Sequence, residues 1–176
     1  MVAAAVQNRW NSLFLLAAVL LGAAWTATAA DPAYRLLGKT APDFALRGTS
    51  GANFRLSEHR GDVVAVAFWG SRCGTCGAQL GTLSRLVDTY QSAGLAALAV
   101  NVDDDQSAAA SFAVAHPVSF PVLLDPGKTV ARQYRVDNLP MLLLIDRSGA
   151  IRYVHRNHRS GSDAQYLEQI RVLLDE

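Results

Sequence analysis

From residue 62 onward, the chain alternates apolar runs of strand length with stretches whose apolar positions recur at helical spacing. The run from Asp62 to Trp69 is apolar at every position after the aspartate, which predicts a central strand buried on both faces. Gly70 and Ser71 break it. From Cys73 onward, Leu80, Leu83, Val87 and Tyr90 recur at helical spacing, and Gly94 ends a helix of about twenty residues. A second buried strand follows over Leu95 to Val102. Gln106 to Ala115 is alanine-rich and helical, stopped by His116 and Pro117. Phe120 to Leu124 reads as a short extended piece, and Gly127 to Tyr134 as another short helix. Met141 to Ile145 and Ile151 to His155, separated by Asp146 to Ala150, suit an antiparallel hairpin. Asp163 to Leu174 closes the chain as an amphipathic helix, with Tyr166, Leu167, Ile170, Leu173 and Leu174 on its apolar side. Upstream of these elements, Phe44 to Leu46 and Asn53 to Leu56 flank a glycine-rich loop from Gly48 to Gly51, a further short hairpin.

This alternation predicts one α/β layered domain over residues 31–176, with no internal repeat and no dividing linker. Residues 1–30 follow a different pattern. Arg9 precedes an apolar run, Leu13 to Leu21, and small residues, Ala27 to Ala30, lead into Asp31 and Pro32. Basic, then apolar, then small is the layout of a secretory signal peptide cleaved after Ala29 or Ala30. Retained instead, the uncharged stretch from Leu13 to Ala30 is just long enough to anchor the chain in a bilayer. Either way the domain is expected outside the cytoplasm, in the periplasm or at the outer face of the inner membrane.

Charge adds little. The formal net charge is +1, and Arg9 accounts for the excess, so residues 31–176 are balanced. That balance excludes an electrostatic case for nucleic acid or an anionic surface. The two cysteines change the picture more. Cys73 and Cys76 are the whole cysteine content, two residues apart, in "WGSRCGTC". An exported chain with an even cysteine count usually forms a disulfide. A structural disulfide stabilises by closing a long loop, and two intervening residues close almost none. A structural zinc site needs four ligands, and there is no third cysteine; His155 and His158 are spaced like ligands but lie in a polar, basic stretch. A redox-active pair is the leading reading. A strand that ends, turns and opens a helix places Cys73 at the helix N-terminus, where unpaired N–H groups and the dipole favour its thiolate. Cys76, one turn later, is placed to attack the mixed disulfide that Cys73 forms.

The stretch "APDFALRGTSGANFRLSEHRGDVVAVAFWGSRCGTC" resembles the thioredoxin superfamily, in its exported TlpA/ResA-like branch. The resemblance continues through "AVNVDDD", "FPVLLDPGKTVARQYRV" and "NLPMLLLIDRSGAI", covering most of residues 38–155. It implies a thioredoxin-like three-layer sandwich, a central mixed sheet flanked by helices, with an N-terminal β-hairpin extension. It also implies a thiol-disulfide oxidoreductase of the bacterial cell envelope, a branch in which several members act as reductants, including in cytochrome c maturation. No cofactor is implied beyond the Cys73–Cys76 disulfide. The implied partners are exported proteins carrying disulfides and a membrane thiol electron donor. Residue by residue, the resemblance makes Cys73 the exposed nucleophile and Cys76 the buried resolving thiol. Pro140 matches a proline that is cis and packs beside the pair, and the backbone of Leu139 would then pair with extended substrate. Trp69 matches a tryptophan packed under the motif. Ala67 stands where thioredoxins carry a buried aspartate that relays protons, so an acid from "NVDDD" takes that role, Asp104 first and Asp103 next. The same aspartates also suit a turn capping the helix at Gln106.

Several positions depart from the branch. Arg72 replaces the usual aromatic before the first cysteine, where it could favour the thiolate, meet an acidic partner or simply be solvated. Gly74 and Thr75 lack the common proline, and Gln79 and Gly81 stand where an acid and a proline are usual. Met141 replaces a threonine, which is expected to leave the substrate groove more apolar. Two other activities compete. Peroxiredoxins share the Ala-Pro-Asp-Phe start, but their proline and threonine positions before the reactive cysteine hold Val66 and Gly70 here. Soft thiolates with His155 or His158 would also suit a copper-binding module.

Overall fold

The structure, a computed structural model, describes residues 32–176; the leader and its cleavage or retention lie outside the described residues. Among the described residues, no helix is long and apolar enough to cross a membrane. A hairpin of β1 (Ala45–Gly48) and β2 (Asn53–Arg55) leads into β3 (Val63–Trp69), α1 (Cys76–Tyr90) and β4 (Leu95–Asn101). Then come α2 (Gln106–Ala115), β5 (Val122–Leu124), α3 (Thr129–Gln133), β6 (Met141–Ile145), β7 (Ile151–Arg156) and α4 (Ser162–Leu174).

The seven strands form one mixed sheet in the order β2-β1-β5-β4-β3-β6-β7. β3, apolar and buried at every position, lies inside it, parallel to β4 and antiparallel to β6. Side-chain alternation splits β3 between two cores. Val63, Ala65, Ala67 and Trp69 pack with α1, α2 and α4, while Val64, Val66 and Phe68 pack with α3, Phe44 and Leu36. On the first face, Ala65, Ala67, Ala97 and Ala99 keep the sheet low, so Leu80, Leu83 and Val87 of α1 seat directly on it. The three-layer sandwich implied by the resemblance is therefore present, and the N-terminal hairpin joins the sheet through β1 and β5.

Three elements start two or more residues later than the sequence pattern predicts. Helix α1 starts at Cys76 rather than Cys73, because residues 70–76 make two successive tight turns, Cys73 N–H to Gly70 O and Cys76 N–H to Cys73 O. It regularises for 15 residues and tightens to 3-10 geometry over Gln91–Ala93 before Gly94, whose φ of 94° ends it. Helix α3 starts at Thr129 rather than Gly127, because the buried Asp125 carboxylate accepts the N–H groups of Thr129 at 2.9 Å and Ala131 at 2.8 Å. Strand β5 begins only at Val122, after Pro121.

The contact between β7 and α4 contains a titratable group. His155 Nε2 lies 2.6 Å from Gln169 Oε1, and its ring meets the buried Tyr166 ring edge-on at 4.8 Å. Burial lowers the proton affinity of His155, against a smaller opposing effect of the Gln169 hydrogen bond. A depressed folded-state pKa means that protons bind the unfolded chain more tightly. The stabilisation is thus present above the ordinary histidine value of about 6.5 and lost as pH falls below it. Thermal unfolding between pH 7 and pH 5 should show the wild-type midpoint falling more steeply than that of His155→Asn; parallel curves would show that His155 stays accessible to protons.

Candidate active site

Beyond the end of β3 the chain turns at Gly70 and Ser71, and three features fix that turn. The ends of β3 and β4 are in register, Trp69 opposite Asn101, and Val102 N–H closes onto Trp69 O at 3.0 Å. Asp103 Oδ2 accepts the Ser71 N–H at 2.8 Å and the Asn101 side-chain amide at 2.8 Å. Gly70 allows this approach: a Cβ there would sit 3.1 Å from both Asp103 Oδ1 and Leu139 Cδ1.

The turn delivers two unequal sulfurs. Cys73 and Cys76 are disulfide-bonded, with Cα atoms 5.4 Å apart. Cys76, the first residue of α1, is fully buried in the core that holds Trp69 and Leu80. Cys73, just ahead of the helix, is half-buried and faces a cavity of about 550 Å³. The unpaired N–H groups of the first turn of α1 favour negative charge at that end, the form in which a sulfur attacks a disulfide.

The residues expected at the site are placed as follows. Trp69 is fully buried under the turn and stacks on Phe112 at 4.8 Å, which stacks in turn on His116 at 4.2 Å. The His116 ring lies against the backbone of Gly77, where any Cβ would collide with it. The Leu139–Pro140 bond is cis; Pro140 is buried and Leu139 lines the cavity. The Leu139 N–H is bonded to Asn138 Oδ1 at 2.9 Å. Arg72 is exposed and lines the same cavity.

Other expectations need correction. Asp104, the first choice among the acids, does not line the cavity; it pairs with Lys128 Nζ at 2.8 Å with its side chain 74% exposed. Asp105 caps α2, accepting the N–H groups of Ser107 and Ala108. Asp103, the second choice, is the aspartate that reaches the turn and the Cys73 cavity. Alternation continued past the buried Asn101 accounts for this, since residues 101 and 103 then face the same way. Met141 does not line the groove: β6 pairs it with Phe68, and its side chain is fully buried in the core against which Val102, Val136 and Leu139 pack. His155 and His158 both pack on Tyr166, and neither lines the cavity. Gln79 is fully buried one turn into α1 and donates to Tyr166 Oη at 3.2 Å.

Sequence pattern missed the far wall of the cavity. Ala131, Arg132 and Val136 come from α3 and the loop after it, with Val102 below. They fall within the family-like stretch from Phe120 to Val136, where nothing in their spacing signals a site; the β4–β5 pairing sets that stretch beside Cys73.

Residues 37–154 match the model of the AhpC/TSA family. The chain is 33% identical over 136 residues to the thiol-disulfide oxidoreductase ResA of Geobacillus kaustophilus, spanning 77% of this chain and 78% of the relative. It is 28% identical over 168 residues to the ResA of Halalkalibacterium halodurans, spanning 94% of each. A solved DsbE-type thiol:disulfide interchange protein from Chlorobium tepidum superposes with a TM-score of 0.75 at 34% identity, covering 78% of this chain and 97% of that one. With the redox pair, the cis proline and the sheet order already in place, these likenesses identify the chain as a member of the AhpC/TSA family with the thioredoxin fold, and within it a protein-disulfide oxidoreductase of the ResA and DsbE type.

Proposed function

We propose that the protein reduces disulfides in exported proteins at the bacterial cell envelope, drawing electrons from a membrane thiol donor. Cytochrome c maturation is one process with that need. The observation that carries the reading is the inequality of the sulfurs: Cys73 opens onto a cavity large enough for side chains, while Cys76 is sealed beneath it.

In the reduced protein, the Cys73 thiolate attacks one sulfur of the substrate disulfide. That S–S bond breaks, a mixed disulfide forms, and the released substrate sulfur takes up a proton. Cys76 then loses its proton and attacks Cys73 Sγ. The mixed disulfide breaks, the second substrate thiolate leaves, and the Cys73–Cys76 disulfide closes. Two electrons have passed to the substrate, and the membrane donor restores the dithiol. Asp103 is the carboxylate assigned to accept the Cys76 proton, because it borders the cavity beside Cys73 and is bonded to neutral donors rather than to a cation. Extended substrate lies along Leu139, replacing the bond that Asn138 now makes to the Leu139 N–H. Peroxide chemistry is disfavoured: Val66 is buried within β3 and Gly70 backs the Asp103 carboxylate, so neither position offers peroxide a hydroxyl.

Equilibration of Cys73–Cys76 with glutathione measures the direction of electron flow. A reductant is expected to lie near the thioredoxin value of about −270 mV, and a potential above about −150 mV would overturn the assignment. The proton role separates two neighbouring carboxylates. Asp103→Asn should slow single-turnover reduction of a peptide disulfide by about tenfold or more and alter its pH–rate profile. Asp104→Asn, which removes only an exposed ion pair, should leave the rate within about twofold. Equal effects of the two substitutions would remove Asp103 from the mechanism.

A further inference from the structure

The cavity beside Cys73 has a two-part character. Its floor is apolar: Val102, Val136 and Leu139 are half-buried outliers of the hydrophobic core, and Ala131 lies between them. Its rim is charged, and the charges are not all matched. Lys128 is neutralised by Asp104 at 2.8 Å, and Asp137 by an ion pair with Arg156. Asp103 is held by the neutral Ser71 N–H and Asn101 amide. Beside that carboxylate, two guanidinium groups on the rim also stand outside any ion pair, Arg72 beside Cys73 and Arg132 on α3. Among the described residues neither has an acidic partner; Arg132 makes only a long contact of 3.5 Å to Thr129 Oγ1.

A cavity with an apolar floor beside the attacking sulfur and unmatched guanidinium groups on its rim selects by both features. Resting on the proposed reductase reading, we infer that the preferred substrate is a disulfide-bonded peptide segment carrying an apolar side chain and an acidic side chain close to the cysteine that Cys73 attacks. The apolar side chain fills the floor. The carboxylate meets Arg132, whose planar fork can bind it through two parallel hydrogen bonds; Arg72, nearer the sulfur, shares its surroundings with Asp103, Asp104 and Asp105 and contributes less. Arg132 is thereby a specificity-determining residue in a wall distant in sequence from the cysteines. The chemistry of exchange is unchanged; only the choice of partner is set.

The test uses three peptides with one disulfide each, identical except that the residue beside an apolar flanking residue is Glu, Gln or Lys. Each rate with the reduced protein is divided by the rate of the same peptide with dithiothreitol, which removes intrinsic differences in disulfide reactivity. The expected order is Glu, then Gln, then Lys, with about fivefold between the extremes at low ionic strength. The spread should shrink as salt screens the partly exposed pair. Arg132→Gln should narrow it and Arg132→Glu should reverse it. Oxidised glutathione, which offers carboxylates without the apolar side chain, should be reduced more slowly than the Glu peptide. Equal normalised rates for the three peptides, an unchanged ratio in Arg132→Glu, or faster reduction of glutathione disulfide would overturn the inference while leaving the reductase reading intact. Failure to reduce any of the substrates would overturn both.

Discussion

The active turn depends on one carboxylate. β3 and β4 run in register and end together, which by itself would leave the chain after Trp69 free to leave in any direction. Asp103 removes that freedom. Its carboxylate binds the Ser71 N–H and the Asn101 amide, while its own N–H donates to Asn101 Oδ1 at 3.1 Å. The pairing is reciprocal in its energetics as well. Asn101 is buried, and an unsatisfied amide there would cost about 1–3 kcal/mol. Hydrogen bonds to a charged acceptor contribute about 1.5–3 kcal/mol each. The contacts that settle a buried amide therefore also fix the backbone two residues before Cys73.

On the opposite side the turn is braced by stacking rather than by charge. Trp69, Phe112 and His116 form a continuous column from β3 across α2 to the loop after it. The column ends against Gly77, the second residue of α1, and a side chain at 77 would drive His116 away. The first turn of α1 is consequently held between an aromatic wall and the sheet, with Cys76 sealed inside. Cys73 lies on the other side, where the neighbours are the ends of loops and the short helix α3. One sulfur is fixed in core packing, and its partner faces a surface free to vary.

Burial patterns made most of this fold legible in sequence. A strand apolar at every position can only be interior, and β3 is; the helices and the terminal hairpin follow from their periods. The cysteine pair was legible because its spacing and its place after a strand carry chemistry together. What sequence could not supply was register. Three consecutive aspartates are chemically identical, and only the inward position of Asn101 selects Asp103 over Asp104. Met141 was expected in the groove because it follows the cis proline, but β6 buries its side chain fully in the core. The α3 wall lies more than fifty residues from Cys73 along the chain, joined to it only through sheet topology.

Register also bears on how protons leave the buried sulfur. Ala67, fully buried in β3, stands where the resemblance to thioredoxins implies an aspartate, and Gln79 where it implies an acid on the first helix. Gln79 is neutral and committed to Tyr166. Of the carboxylates bordering the Cys73 cavity, Asp137 is tied to Arg156, and a proton placed on it would break that ion pair. Asp103 carries no such opposing cation. Its donors are an amide and a backbone N–H, which a protonated carboxyl can retain through the oxygen that stays unprotonated. Asp103 is thus the carboxylate of this cavity that stands outside any ion pair, and it is also the residue that holds the turn before Cys73.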